Sequence, residues 1–425
     1  MRDSKVQTKN IEETLKALSE LRIKENGWID SEKESQEESC AYKNMEIIYS
    51  FFLSNHIYPT DFARIDIPEN ILIDDINSII EAIKRDGFHP SPHLYIREKT
   101  DFVDFAALSI QFFILSNKYL RNLKKMGDEK KSILKDSEEI IKKAIKFLKN
   151  SPKRDKYGIR WAGSKTKTIR GTSYCNVYFT AQVLSSFAFL LSNYRKYITN
   201  EEYEEIEQII KEGCLWIVKQ ERDGLIAGDE TKSKLEINFT IFGLNSLFDC
   251  ITFCEQEIQL KALKLFISFV NHLKENKNNL SWLSFIDVPI AELNKPIYYD
   301  DRSSIGNIIT TLCKGKEVFK EDKIIDDVFY LINFYVGELL RLRDVSKKLW
   351  DSGNFLMYLN SRAIEALLYS TKYGKPIEYM INEREALIAL QKTLANPLVQ
   401  RLFLNELTNI ELLKKFKPEG KIHEN

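Results

Sequence analysis

Apolar residues recur every three or four positions through most of this chain, in two kinds of stretch that alternate. The first kind is amphipathic. Ile76, Ile79, Ile80 and Ile83 mark one face, as do Ile140, Ile141, Ala144, Ile145 and Leu148, and again Ile206, Ile209, Ile210, Leu215 and Val218, with Lys and Glu filling the positions between. That period predicts helices with one face buried and the other in water. The second kind, at residues 106–110, 180–184, 240–244, 304–308 and 361–365, is apolar on all sides and rich in small residues, with 43–47 a weaker first member. Such helices are enclosed by others, and small side chains let their neighbours approach closely.

Between each amphipathic stretch and the next apolar one lies a polar turn carrying glycine, an aromatic residue, or both. The six turns are centred on Gly27-Trp28, Gly87-Phe88, Gly158 to Trp161, Asp223-Gly224, Ser281-Trp282 and Trp350 to Gly353. A glycine after each outer helix suits a left-handed C-cap, where a side chain would clash. The anchors Ala106, Thr180, Thr240, Ser304 and Ser361 lie about 57 to 74 residues apart, a hairpin-pair period longer than that of a tetratricopeptide. One helical hairpin cannot bury its apolar face alone, and six can close into a ring with no open end. The prediction is therefore an all-α (α/α)6 toroid of six helical hairpins over residues 1–375. A C-terminal helical extension follows over 376–425, packed on the ring or held for a partner protein.

Composition narrows the function classes. Lys+Arg and Asp+Glu both number 62 in 425 residues, so the formal net charge is zero, which argues against a nucleic-acid-coating protein. The start of the chain is charged where a signal peptide would be apolar, and nothing approaches the roughly 18 apolar residues of a membrane span. Six cysteines are scattered without zinc-ribbon or disulfide-framework spacing, which reads as reduced thiols in a cytoplasmic protein. No histidine stands beside a cysteine at ligand spacing, and Cys250 and Cys254 read as core thiols on a shared helix face, so no metal is expected. With no glycine-rich phosphate loop and no nucleophile elbow, no cofactor is expected either.

The alternation of helices and one turn in particular resemble the α/α toroid of terpenoid cyclases and protein prenyltransferases. Gln220-Glu221-Arg222-Asp223-Gly224 is similar to the Gln-x-x-Asp-Gly part of that family's repeat, whose implied role is structural. Tyr298-Tyr299-Asp300-Asp301 is similar to the Asp-x-Asp-Asp acid motif of class II cyclases, with Tyr298 in place of the first aspartate. The resemblance implies that Asp300 would protonate an alkene, which the neighbouring Arg302 opposes by favouring the ionised form.

In a ring of hairpins, the segments leading into the inner helices converge on one mouth, where helix N-termini suit anionic groups. Asp101 and Asp104, the run from Lys165 to Tyr174 after Trp161, Asp229 with Glu230 and Glu236, and Tyr298 to Arg302 all fall there. One reading is a toroid protein that binds a ligand, peptide or partner protein at this mouth, without an established catalytic set. The alternative is a carbohydrate-active enzyme (glycosidase or lyase) or a cyclase-like one, using Asp104, Asp300 and Asp301. Trp161, Arg170, Tyr174, Glu236, Tyr299 and Arg302 would then hold the ligand, the aromatic rings stacking on sugar faces. A plainer reading stays open beside both: aspartates at helix starts act as caps, and arginines pair with them.

Overall fold

A computed structural model describes residues 2–20, 22–23, 27–28, 41–57, 69–88, 103–123, 127–161, 176–195, 198–228, 237–276, 301–319, 324–344, 346–350 and 356–373. Met1–Lys375 forms one compact unit. The expected C-terminal helices lie outside the described residues.

Twelve α-helices make up most of what is described: α1 (Arg2–Glu20), α2 (Ala41–Ile57), α3 (Glu69–Asp86), α4 (Val103–Arg121), α5 (Asp128–Asn150), α6 (Asn176–Asn193), α7 (Asn200–Lys219), α8 (Ile237–Cys250), α9 (Gln256–Asn276), α10 (Asp301–Val318), α11 (Ile325–Arg341) and α12 (Leu356–Tyr373). The amphipathic stretches are odd-numbered helices and the apolar ones even-numbered. In α7, Ile206, Ile209, Ile210, Trp216 and Ile217 are buried while Glu201, Glu204 and Glu205 are exposed. Its start is set by a capping box: the Thr199 hydroxyl accepts from the Glu202 N–H, and the Glu202 carboxylate accepts from the Thr199 N–H.

The even helices form a closed ring. α2 packs on α4, α4 on α6, α6 on α8, α8 on α10, α10 on α12, and α12 back on α2. They run parallel: Ser304 near the start of α10 donates to Asn238 at the start of α8, 3.1 Å, and Lys314 meets Asp249 toward their far ends, 2.9 Å. Behind each inner helix sits the outer helix that follows it, α3 behind α2 and so on to α11 behind α10, and α1 closes the set behind α12. The described chain is thus an (α/α)6 toroid whose six inner helices run in the same direction.

The turns bear more than the expected caps. Gly87, with φ 72°, does follow α3 and donates its N–H to Ile83 O, as a left-handed cap should. Gly158 and Gly224 do not cap helices. Gly158 opens the second strand of one small antiparallel hairpin, β3–β4 (Lys153–Asp155, Gly158–Arg160), Gly224 sits in the turn of another, β5–β6 (Glu221–Arg222, Leu225–Ile226), and a third ladder pairs β1 (Arg22–Ile23) with β2 (Gly27–Trp28). A Cβ on Gly158 would overlap the carbonyl of Glu212 on α7, so only glycine fits there. The β3–β4 and β5–β6 hairpins, and the isolated Asp344–Leu349 bridge after α11, are pinned to the inner helices that follow them. Trp161 N–H donates to Thr180 Oγ1 (3.0 Å), Ile226 N–H to Thr240 Oγ1 (2.8 Å) and Trp350 N–H to Asn360 Oδ1 (3.1 Å). The indoles of Trp161 and Trp350 donate to Leu148 O and Leu339 O, among the carbonyls a helix C-terminus leaves unpaired. Gln220 of the terpenoid-cyclase-like turn is buried and donates to Trp216 O, a structural task.

Closure is fastened by Arg343, just beyond α11. Its guanidinium donates to Asn10 Oδ1 and to Lys348 O (2.9 Å), lies 3.4 Å from the Glu13 carboxylate, and is 8% exposed. Thr14 of α1 donates to the same Lys348 carbonyl. Arg343→Ala takes a donor from Asn10 Oδ1 and from the Lys348 carbonyl, while the Glu13 carboxylate is partly exposed and stays hydrated. It should therefore lower the unfolding free energy by about 1–3 kcal/mol and speed hydrogen exchange in α1. Urea unfolding with exchange mass spectrometry checks this, and an unchanged α1 would mean that closure rests on apolar packing alone.

Candidate functional site

The inner helices are not apolar on all sides. Their half-buried positions fall on one face of each helix, away from the outer ring: Asp104, Leu108, Gln111 and Lys118 on α4; Tyr178, Gln182, Ser185 and Phe189 on α6; Phe242, Asn245 and Asp249 on α8. The same holds for Lys314 on α10, Arg362, Glu365 and Tyr369 on α12, and Tyr49 on α2. Spacings of three, four and seven put these side chains on a common stripe turned to the ring axis. The ring interior is therefore lined with amides, carboxylates, three cations and aromatic rings. Tyr178 and Phe242 meet edge to face, with centroids 4.9 Å apart. Asn245 Oδ1 is buried with no hydrogen-bond partner among the described residues, and a buried acceptor left unpaired costs about 1–3 kcal/mol.

Asp104 is placed by its helix. It is the second residue of α4, so it belongs to the first helical turn and not to the preceding loop. Its Oδ1 accepts from the Phe105 N–H, 3.0 Å. Burial raises its carboxyl from an ordinary 3.8 to about 6, against the opposing pull of the Phe105 and Asp104 N–H groups. Asp104 is half-buried. A carboxyl poised near neutrality is the form in which acid catalysis is efficient.

The other sequence-derived candidates divide. Trp161 is fully buried with both N–H groups committed to Thr180 and Leu148, so its indole has no open face. It pins a hairpin and does not form a ligand wall. Asp301 and Arg302 are the first two residues of α10. In the order of the ring α10 stands opposite α4, so the Asp301 and Asp104 backbones start inner helices on opposite sides of one mouth. The side chains of Asp301 and Arg302, and all of Arg170, Tyr174, Glu236, Tyr299 and Asp300, lie outside the described residues.

The lining residues Tyr49, Gln111, Gln182, Asn245, Asp249, Lys314 and Glu365 were missed by inspecting the turns. Their signal is a polar residue at three-, four- or seven-residue intervals inside an otherwise apolar helix, as in Asp104, Gln111 and Lys118. Cys250 and Cys254 do not share a helix: α8 ends at Cys250 and a 3-10 turn, Ile251–Phe253, separates them. Both are buried free thiols held above the ordinary thiol range, Cys250 chiefly by burial and Cys254 chiefly by its hydrogen bond with Cys214 and then by burial. Among the described residues no group of three or more His, Cys, Asp or Glu side chains is arranged to hold a metal ion. No helix among them is long and apolar enough to cross a membrane.

No family model and no curated protein matches this chain. Among solved structures, it is similar to a GH76 α-mannanase from Bacteroides thetaiotaomicron, at 13% identity and TM-score 0.49, over 87% of this chain and 96% of that one. It is also similar to a family 105 glycoside hydrolase from C. acetobutylicum, at 12% identity and TM-score 0.43, over 78% and 93%. Likenesses this remote say nothing of chemistry, and neither protein is a terpenoid cyclase or a prenyltransferase.

Two measurements check the site. Because the folded pKa of Asp104 is raised, its unfolded form ionises first; native stability falls as pH rises from about 4 to 6 and stays lowered above. Asp104→Asn should thus gain about 1–2 kcal/mol at pH 7, the shift being discounted for residual exposure, and nothing near pH 3. Equal stability of the two proteins at both pH values would mean that the carboxyl is solvated. Trp161→Phe should cost about 1–3 kcal/mol and leave ligand affinity intact; a weakened affinity in the folded variant would return the indole to the binding site.

Proposed function

We propose that this toroid binds a saccharide inside its ring and cleaves a glycosidic bond with Asp104 as the acid. The observation that carries the reading is Asp104 itself, held at the mouth of the interior with a carboxyl that burial raises to about 6. The lining supports it. Amides and carboxylates such as Gln111, Gln182, Asn245 and Glu365 match a ligand covered in hydroxyls, and rings such as Tyr178 and Phe242 offer faces for sugar C–H surfaces. A hydrocarbon of terpenoid type would offer nothing to Asn245 Oδ1, a buried acceptor with no partner among the described residues, and is disfavoured for that reason.

In this reading Asp104 gives its proton to the glycosidic oxygen as the bond from that oxygen to the anomeric carbon breaks. Water supplies hydroxide to the carbon, and an interior carboxylate takes the water's second proton.

The test is turnover of α- and β-linked hexose oligosaccharides by the wild-type protein and by Asp104→Asn. Activity should decline as pH rises through about 6, where the acid loses its proton. The variant should lose at least about 100-fold in kcat while still binding substrate. A folded Asp104→Asn protein with wild-type kcat would remove Asp104 from the chemistry. Tight saccharide binding by a wild-type protein without turnover would instead describe a binding protein.

A further inference from the structure

The inner helices α4 and α6 lie side by side in a constant register. Gln111 Nε2 donates to Ser186 Oγ (2.8 Å) and Lys118 Nζ to Asn193 Oδ1 (2.7 Å), each pair 75 residues apart. Carried back to the start of both helices, the same register sets Asp104 level with Phe179 and one residue from Tyr178. The acid of the proposed reaction therefore has aromatic neighbours in the first turn of the next inner helix. Across the following interface, the Tyr178 ring meets that of Phe242 on α8 edge to face, with centroids 4.9 Å apart.

One turn further along both helices the rings give way to amides. Gln182 lies about 6 Å beyond Tyr178 and Asn245 about 4.5 Å beyond Phe242 along the helix axes. All four side chains are half-buried on the inward stripes. Asn245 Oδ1 has no partner among the described residues. Flipping an amide exchanges its acceptor for its donor, so the group that suits it in either setting is one that both donates and accepts. A hydroxyl is such a group. A pyranose meets both needs at once, with a face of C–H groups for the rings and hydroxyls on its edge for the amides. None of the four side chains is charged, which matches a neutral sugar.

We propose that Tyr178 and Phe242 form the platform for the neutral hexopyranose ring next to the cleaved bond, and that Gln182 and Asn245 bind that ring's hydroxyls. This rests on the saccharide reading and adds to it the class of sugar and the side of the interior it occupies, between α6 and α8.

The experiment separates kcat from KM for the full chain on α- and β-linked neutral hexose oligosaccharides. Tyr178→Ala should raise KM about tenfold or more, and Tyr178→Phe, which restores the ring, should recover most of that loss. If circular dichroism shows Tyr178→Ala unfolded, Tyr178→Leu keeps most of the apolar volume and carries the same test. Asn245→Leu should also raise KM about tenfold or more without lowering the midpoint of urea unfolding, because it removes an unpaired acceptor and strands no partner. An unchanged KM in the folded Tyr178 variant would overturn the platform while leaving glycosidic cleavage standing. An unchanged KM or a lowered midpoint in Asn245→Leu would overturn the amide's role. Neither binding nor turnover of any such saccharide by the wild-type protein would overturn both readings.

Discussion

Closure of the inner ring is the constraint on which everything else in this chain depends. Six parallel helices can share an axis only if each one's two flanks fit its neighbours. Where that fit is tightest the side chain vanishes: Gly306 of α10 lies against the backbone of Arg362 on α12, and a Cβ there would come within 2.9 Å of its carbonyl. The last contact made, α12 on α2, joins parts of the chain over 300 residues apart, a costly loop to close. The buried Arg343 network, which ties α1 to the final hairpin, secures the same seam.

The ring in turn gives meaning to the recurring turns. A hairpin between an outer and an inner helix must satisfy its own backbone while reversing direction, and here inner-helix side chains complete it. Thr180, Thr240 and Asn360 accept the N–H that follows the hairpin or bridge, and the indoles of Trp161 and Trp350 reach back to the outer helix just left. Conspicuous aromatic residues in polar loops are thus structural pins at the two positions where they are described. Their polar N–H ends are used up inside the protein.

The same closure forces an unusual interior. The inward stripe of each inner helix faces other stripes across a shared space, where polar groups must pair with one another or with a ligand. Lys314 pairs with Asp249 and Arg362 with Glu365, whereas Asn245 Oδ1 has no partner among the described residues and burial raises the Asp104 carboxyl.

The sequence by itself determined the helices, their alternation and their number, because 3.6-residue periodicity and glycine-bearing turns are local signals that neighbouring residues set. It also placed Asp104 at the mouth, since a residue at the start of an inner helix has nowhere else to be in such a ring. Only the tertiary structure decided which residues face the axis. Gln111, Asn245, Lys314 and Glu365 look like isolated polar interruptions along the chain, and they acquire a common address only when six helices turn the same face inward. The reverse befell Trp161, whose loop position suggested exposure. Burial is a property of the closed ring, and no single stretch of chain carries it.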